Sequence, residues 1–384
     1  MIESANAAAP QEENGSVNRA QERIQRLLDS LVREGRERGM QVAAYLDGNL
    51  VVDAWAGLAD AATGRPVDGE TLFPVFSVTK GVAATIVHIL VQRGQLAYDT
   101  PLAELWPEFG RRGKSGITLR HALSHMAGLP FMPMGLGYRD LADWDAMCRA
   151  IADLAPSWPA GTQQIYHAVT YGWLVGEAAC RAAGRPFARL LADEIVRPLG
   201  LGGLFVGIPD EAEERVAVLE SPPEPGQAPP PDDSVPRDVP GWMHPLHAMM
   251  NRPDARRACI PASNGIMNAR SLARHYAALL PGGVNGIELL PPHRVREATV
   301  RQIPAGAAPE SLAGRIALGY FIGGEGDDMG HRPTVFGHGG FGGSIGFADP
   351  EHRLAVGFTK NLFSSAGAGG SVLRELREAL GAAM

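Results

Sequence analysis

Hydrophobic positions along this chain change period in a way that separates its elements. From Val17 to Arg38, Ile24, Leu27, Leu28, Leu31 and Val32 form an i, i+3, i+4, i+7 stripe among charges, which predicts an amphipathic helix. Its polar face mixes both signs, which favours packing on a sheet over binding a lipid surface. Val42–Leu46 and Leu50–Trp55 are short β-rich runs around Asp47-Gly48-Asn49, the pattern of a hairpin. Helical spacing returns from Val78 to Val91, with Val82, Ala83, Ile86, Ile89 and Leu90 apolar and Gly94 closing the segment. Tyr171–Ala183 is a further helix with small residues on one face. Ala269–Leu280 is another, with Ser271 as its candidate cap. Pro333–His338, Gly343–Ala348 and Leu354–Lys360 read as strands, and a last helix runs from Ser371 to Leu380.

This order predicts an α/β lobe built from both chain ends (18–75 and 255–384) with a mainly helical lobe (76–254) inserted between them. Residues 1–17 read as a disordered tail. Residues 221–240 hold eight prolines and read as a surface excursion or a lid.

Composition narrows the partners. With 384 residues, 45% hydrophobic and 20% charged, the chain can bury a large core over two or three lobes. A net charge of -7 argues against nucleic acid or an anionic membrane as partner. Cys148, Cys180 and Cys259 form no CxxC pair, lack a neighbouring base, and read as reduced, buried thiols. Residues 1–17 lack the apolar core of a secretion signal, and no apolar run reaches the length of a membrane span. The expected location is the cytoplasm.

Three segments can carry chemistry. Ser77-Val78-Thr79-Lys80 sets a hydroxyl and an amine one turn apart at the start of the long apolar helix, the spacing of a Ser-Lys acyl-transfer pair. Lysine can act as a base only if its pKa, ordinarily about 10.4, falls by roughly three units, about 4 kcal/mol. Only three lysines occur among 35 Lys and Arg residues, and one stands here. Taken alone, the same spacing suits a helix-capping serine followed by a solvated lysine. Tyr166 stands just ahead of a helix and can exchange a proton with a nearby serine, or can be a core aromatic. Gly337-His338-Gly339-Gly340-Phe341-Gly342-Gly343-Ser344 allows a close backbone approach by a ligand from an edge strand, or a tight turn. No metal-ligand spacing is present.

Ser77-Val78-Thr79-Lys80, Tyr166-His167-Ala168 and His338-Gly339-Gly340, in this order, resemble the class C β-lactamase-like serine hydrolases. That group includes family VIII carboxylesterases and penicillin-binding-protein-like D,D-peptidases. The resemblance extends through Trp106-Pro107-Glu108-Phe109, Ile117–Arg120, Leu123–Pro130 and Pro261-Ala262-Ser263-Asn264-Gly265. It covers the chain from about residue 20 onward.

The resemblance implies a β-lactamase/transpeptidase-like fold, with a central antiparallel sheet flanked by helices and an inserted helical domain. It implies Ser77 as the acylated nucleophile, with Lys80 and Tyr166 sharing the base and acid roles. The N–H groups of Ser77 and Phe341 would form the oxyanion hole, and His338, Gly339 and Gly340 would line the cleft. His121 and His125 would be structural, with no metal and no cofactor.

Two departures shape the substrate. Penicillin-recognising members carry Lys-Thr-Gly where this chain has His338-Gly339-Gly340, and Tyr-x-Asn where it has Ala168. Both losses weaken recognition of an anionic, peptide-like substrate. The expected activity is therefore hydrolysis of small neutral esters, short-chain or aryl. An acyltransferase of a natural-product pathway is the alternative, then a weak β-lactamase or D,D-peptidase, or a non-catalytic binding protein. The expected partner is a small-molecule ester or acyl donor, with no nucleic acid and no membrane.

Overall fold

In the computed structural model, which describes residues 9–222, 233–304, 306, 315–364 and 367–382, strands from both chain ends meet in one sheet. β1 (Gly39–Leu46), β2 (Asn49–Asp60) and β3 (Arg65–Pro66) come from the N-terminal side. β7 (Phe321–Ile322), β8 (Phe336–Gly339), β9 (Ile345–Asp349) and β10 (Leu354–Lys360) come from the C-terminal side. The order is β3-β2-β1-β10-β9-β8-β7, and every pair is antiparallel. Asp47 and Gly48, at φ 51 and 77, make the two-residue turn between β1 and β2. Positive φ at both positions matches the right-handed twist of the strands it joins. β4 (Phe73–Phe76), β6 (Gly265–Met267) and β5 (Leu204–Val206) form a second, three-stranded sheet.

Helices cover both faces of the large sheet. The first helix, α1 (Ala9–Arg33), buries Ile24, Leu28 and Leu31 against one face together with the helix Gly369–Ala379. The helix begins at Ala9, so the expected tail over 1–17 is helical in its second half; residues 1–8 lie outside the described residues. Pro10 falls in the first turn, where a helix does not need its missing N–H. At the other end Gly35, at φ 70, stops the helix five residues after Ser30, and the Arg36 N–H closes back on the Leu31 carbonyl at 2.9 Å. The opposite face carries Ala269–Ala277, whose cap is Asn268 and not Ser271. The Asn268 side chain accepts the Ser271 N–H at 2.8 Å, because the cap must precede the first turn.

The second named helix, α2 (Val78–Gln92), is buried along every residue from Val78 to Val91. A helix apolar on all sides belongs in the middle of a core. It packs against Tyr171–Ala183, which in turn lies against residues 261–262. A Cβ on Gly172 would stand 2.8 Å from the Ala262 nitrogen, so only glycine allows that approach. β8 was expected at a sheet edge. The two-residue β7 covers Phe336 and Gly337, and the outer side of β8 is open only beyond them. Of the Pro-rich segment, 223–232 lie outside the described residues. Past it, the Asp233 carboxylate accepts the N–H groups of Gly241 (2.5 Å) and Trp242 (3.1 Å). Among the described residues no helix is long and apolar enough to cross a membrane.

Candidate active site

Ser77 sits at the junction of β4 and α2, with its side chain partly open to solvent. The residue before it, Phe76, has φ 49, in a region that non-glycine side chains rarely occupy. Thr79 holds this sharp turn. Its buried hydroxyl donates to the Phe76 carbonyl and accepts the Gly265 N–H at 2.8 Å, tying the elbow to β6. Ser77 stands at the cap position but makes no capping hydrogen bond. Its hydroxyl faces Lys80 at 3.2 Å.

Lys80 is fully buried, not solvated. Besides Ser77, its Nζ bonds the carbonyl oxygens of Ala168 (2.7 Å) and Ala262 (2.9 Å). It also lies over the rings of Tyr166 (4.7 Å) and Tyr171 (5.6 Å). Among the described residues no carboxylate pairs with it, and burial holds the amine well below the ordinary lysine value. A neutral amine has two N–H donors and one lone pair. With both donors on the Ala168 and Ala262 carbonyls, the lone pair is left for the Ser77 hydroxyl proton.

Tyr166 also interacts with Ser77 through its hydroxyl, and that bond only partly offsets burial, which raises the phenol above its ordinary value. The phenol is therefore protonated at neutral pH. Its ring is clamped by His125 (centroids 4.5 Å apart) and Phe321 (5.9 Å). His125 also accepts the His167 N–H at 3.0 Å, and His167 Nε2 accepts the Leu129 N–H at 2.9 Å. With Nδ1 of His167 against the Ile165 carbonyl at 2.6 Å, that ring is a neutral scaffold, unsuited to act as a base. His121 likewise accepts the Thr118 N–H at 3.1 Å and caps a short helix.

His338 and Gly339 end β8, and Gly340 follows it. His338 is buried against Phe321 (4.4 Å) and within 6.2 Å of the Tyr166 ring, and burial lowers it to about 3. It brings no cation to the cleft at working pH. Gly340 abuts the β4 strand end. A Cβ there would stand 2.1 Å from the Val75 carbonyl oxygen. The Gly340 N–H is taken by the Ser344 carbonyl (2.7 Å) and the Gly343 N–H by the Gly340 carbonyl (3.0 Å). Among the described residues the N–H groups of Ser77 and Phe341 meet no acceptor. The arrangement holds a hydroxyl, a buried amine with a free lone pair and a protonated phenol, with the unpaired N–H groups of Ser77 and Phe341 on neighbouring loops.

Sequence reasoning missed Thr79, Ala168, Ala262 and Asn264 as working parts of this site. The Asn264 side chain accepts the Ile260 N–H (2.9 Å) and donates to the carbonyls of Ala255 (3.2 Å) and Ala258, which fixes the loop that presents Ala262. The cysteines stand apart from this chemistry. Cys148 is buried and Cys180 and Cys259 are half-buried, the latter two in the wall of a cavity of about 510 Å³ with Trp144 and Phe187. Burial raises all three thiols, Cys259 to about 12, so none is a ready nucleophile. Among the described residues no group of His, Cys, Asp and Glu could hold a metal ion.

The chain and its fold have known counterparts. The chain is 34% identical to "Esterase/beta-lactamase LipL" of Mycobacterium tuberculosis over 88% of its own length and 80% of that protein's. Among solved structures it is similar to a family VIII carboxylesterase, with 30% identity, a TM-score of 0.82, and coverage of 99% of this chain and 100% of that one. It is also similar to a penicillin-binding protein homolog from Caulobacter crescentus, with 33% identity, a TM-score of 0.80, and coverage of 99% of both chains. Residues 24–380 match the Beta-lactamase family, and the chain belongs to it.

Proposed function

We propose that this chain is a serine hydrolase that cleaves carboxylic esters through an acyl-Ser77 intermediate. The observation that carries the reading is the buried Lys80 amine, 3.2 Å from the Ser77 hydroxyl with both remaining partners backbone carbonyls. Lys80 takes the Ser77 proton as the oxygen attacks the ester carbon. The oxyanion rests between the Ser77 and Phe341 N–H groups. Tyr166, protonated, gives its proton to the leaving alkoxide as the C–O bond breaks, and is reprotonated from Lys80. Water then adds to the acyl-enzyme, and the same groups run in reverse.

Because Ser77 is partly exposed, water can reach that intermediate, which favours hydrolysis over transfer to another acceptor. The neutral His338 gives the cleft no counter-ion for a carboxylate, which favours neutral esters over penicillin-like substrates. Ester cleavage also agrees with its similarity to a family VIII carboxylesterase. Three free thiols fit a reducing compartment, and we place the enzyme in the cytoplasm.

Treatment with a fluorophosphonate followed by peptide mapping tests the reading. A single adduct on Ser77, absent in Ser77→Ala, supports it. Adduct-free folded protein, or full p-nitrophenyl acetate hydrolysis by Ser77→Ala, would overturn it.

A further inference from the structure

Among the described residues eight large hydrophobic side chains stand exposed, and one of them, Leu50, lies at the β1–β2 hairpin away from the site. The other seven sit on loops that bond to the catalytic loops. Phe341, 60% exposed, follows the His338-Gly339-Gly340 strand end. It packs edge-on to Phe363 at 5.3 Å, and Phe363 meets Phe76, the neighbour of Ser77, at 5.3 Å. Ile165, also exposed, adjoins Tyr166. The Gln164 amide ties that turn to the Gln302 carbonyl at 3.1 Å, and the exposed Val300 and Ile303 flank Gln302.

A third turn is tied to the Tyr166 loop. The Leu129 N–H bonds His167 at 2.9 Å, and the Met132 N–H bonds the Arg237 carbonyl at 2.8 Å. The turn bearing Phe131 and Met134 is thus held between the Tyr166 loop and the segment bearing Val235. Met134 and Val235, 55% and 49% exposed, wall a groove of about 240 Å³ with Trp242. Single exposed hydrophobic side chains are ordinary, but a set carried on loops tied to those of Ser77 and Tyr166 marks a surface that something apolar covers. The occupant is not an anionic surface, since the chain carries a net charge of -7 and His338 is neutral.

We propose that this rim holds the hydrocarbon chain of a long-chain carboxylic ester whose ester group lies at Ser77. The proposal rests on the ester-hydrolase reading and moves the substrate from the short-chain and aryl esters expected from sequence to lipophilic ones. Each methylene buried on the rim lowers the barrier through binding of the non-reacting chain. It corresponds to up to about fourfold in kcat/KM.

The test is the kcat/KM of the full chain on p-nitrophenyl acetate, butyrate, octanoate and decanoate, and on acetates of alcohols of the same lengths, below their micellar concentrations. A rise through octanoate in either series is the expected result. The double variant Met134→Ser/Val235→Ser, at two exposed positions and with unchanged Tm, should keep its acetate kcat/KM and lose about tenfold or more on the longest chain.

A maximum at acetate or butyrate in both series would overturn the proposal while leaving the esterase reading intact. So would a parent dimer that the double variant turns into a monomer with an unaltered chain-length profile, since a second copy would then cover the rim. Failure to cleave any ester, with no phosphonylation of Ser77, would sink both.

Discussion

Lys80 Nζ lies 2.9 Å from the carbonyl oxygen of Ala262, a bond between the start of α2 and a loop 182 residues further along the chain. That carbonyl and the one at Ala168 take both N–H groups of the neutral amine and leave its lone pair for Ser77, which is what the proposed base role of Lys80 requires. Lys80→Arg places a permanent cation where the neutral amine stood and removes the group that can take up and release a proton. Its kcat should fall by about 10²- to 10⁴-fold, the range of a lost general base. Activity of the parent enzyme should rise with pH through the Lys80 titration, which burial moves well below the ordinary lysine range. The raised Tyr166 phenol should then keep the profile flat into alkaline pH. Initial rates from pH 6.5 to 10, above the range in which the fold is lost, check this, and an acid limb unchanged in Lys80→Arg would assign it to another group.

Asn264 acts one step further back. Asn264→Ala would leave the buried Ile260 N–H and the Ala255 and Ala258 carbonyls without their partner. An unpaired buried group costs about 1–3 kcal/mol, so the midpoint of thermal unfolding should drop by several degrees. Because the loop also presents Ala262, kcat should fall by more than KM changes. Loss of stability with an unchanged kcat would limit Asn264 to a packing role.

What the sequence made legible followed from side chains with strong local signatures. Leu354–Lys360 and Tyr171–Ala183 have the bounds their patterns predict, and α2 ends one residue beyond its apolar run. Ser77, Lys80 and Tyr166 stood out because hydroxyl, amine and phenol are recognisable at a distance in sequence, and the fold gathers them. The Ala168 and Ala262 carbonyls were invisible because every residue has one, and tertiary packing, such as the close approach of Gly172 to Ala262, decides which point inward. The left-handed Phe76 could not be read either. Nothing in a phenylalanine signals positive φ, and it is Thr79 and Gly265 that hold it there. The helical stretch from Ala9 was hidden by its weak amphipathic signal, and Ser271 drew the cap away from Asn268 by residue type alone.

Gly340 links the sheet to the nucleophile. A Cβ at this position would meet the Val75 carbonyl oxygen at 2.1 Å and the Val75 carbonyl carbon at 3.1 Å, both backbone atoms of β4. Gly340→Ala must therefore push the end of β8 away from the β4–α2 elbow, separating the Phe341 N–H from the Ser77 N–H. Loss of one oxyanion donor costs about 10²- to 10³-fold in kcat. The expected variant folds, with near-native circular dichroism, and has lost that much activity on p-nitrophenyl acetate. Parent-like kcat would remove the β8 end from the oxyanion hole. Gly339→Ala, where a Cβ meets nothing within 4 Å, is the matched control and should lose far less.

The buried histidines set the acid limit of the fold. His88, His275 and His338 are lowered to about 3 and His167 to about 4, with His125 well below its ordinary value; in each case burial is the largest cause. The unfolded chain protonates these rings near pH 6.5, whereas the native state does not until much lower pH. Below pH 6.5 the unfolded state thus binds more protons than the native one, so the stability these groups confer is full above pH 6.5. It is lost as pH falls toward 4 and then 3. Each ring contributes about 1.4 kcal/mol per pH unit across that window, and five together contribute roughly 7 kcal/mol per unit. Against a total stability of about 5–15 kcal/mol, that should unfold the protein within about one to two units below pH 6.5. Thermal scans from pH 7.5 to 4.5 should show the midpoint falling steeply below pH 6.5. The urea-unfolding free energy should follow a slope of several protons, and His275→Asn should reduce that slope by about one. A midpoint that stays level down to pH 4.5 would mean that these rings take up protons within the folded protein, and His338 would then be a cation in the cleft after all.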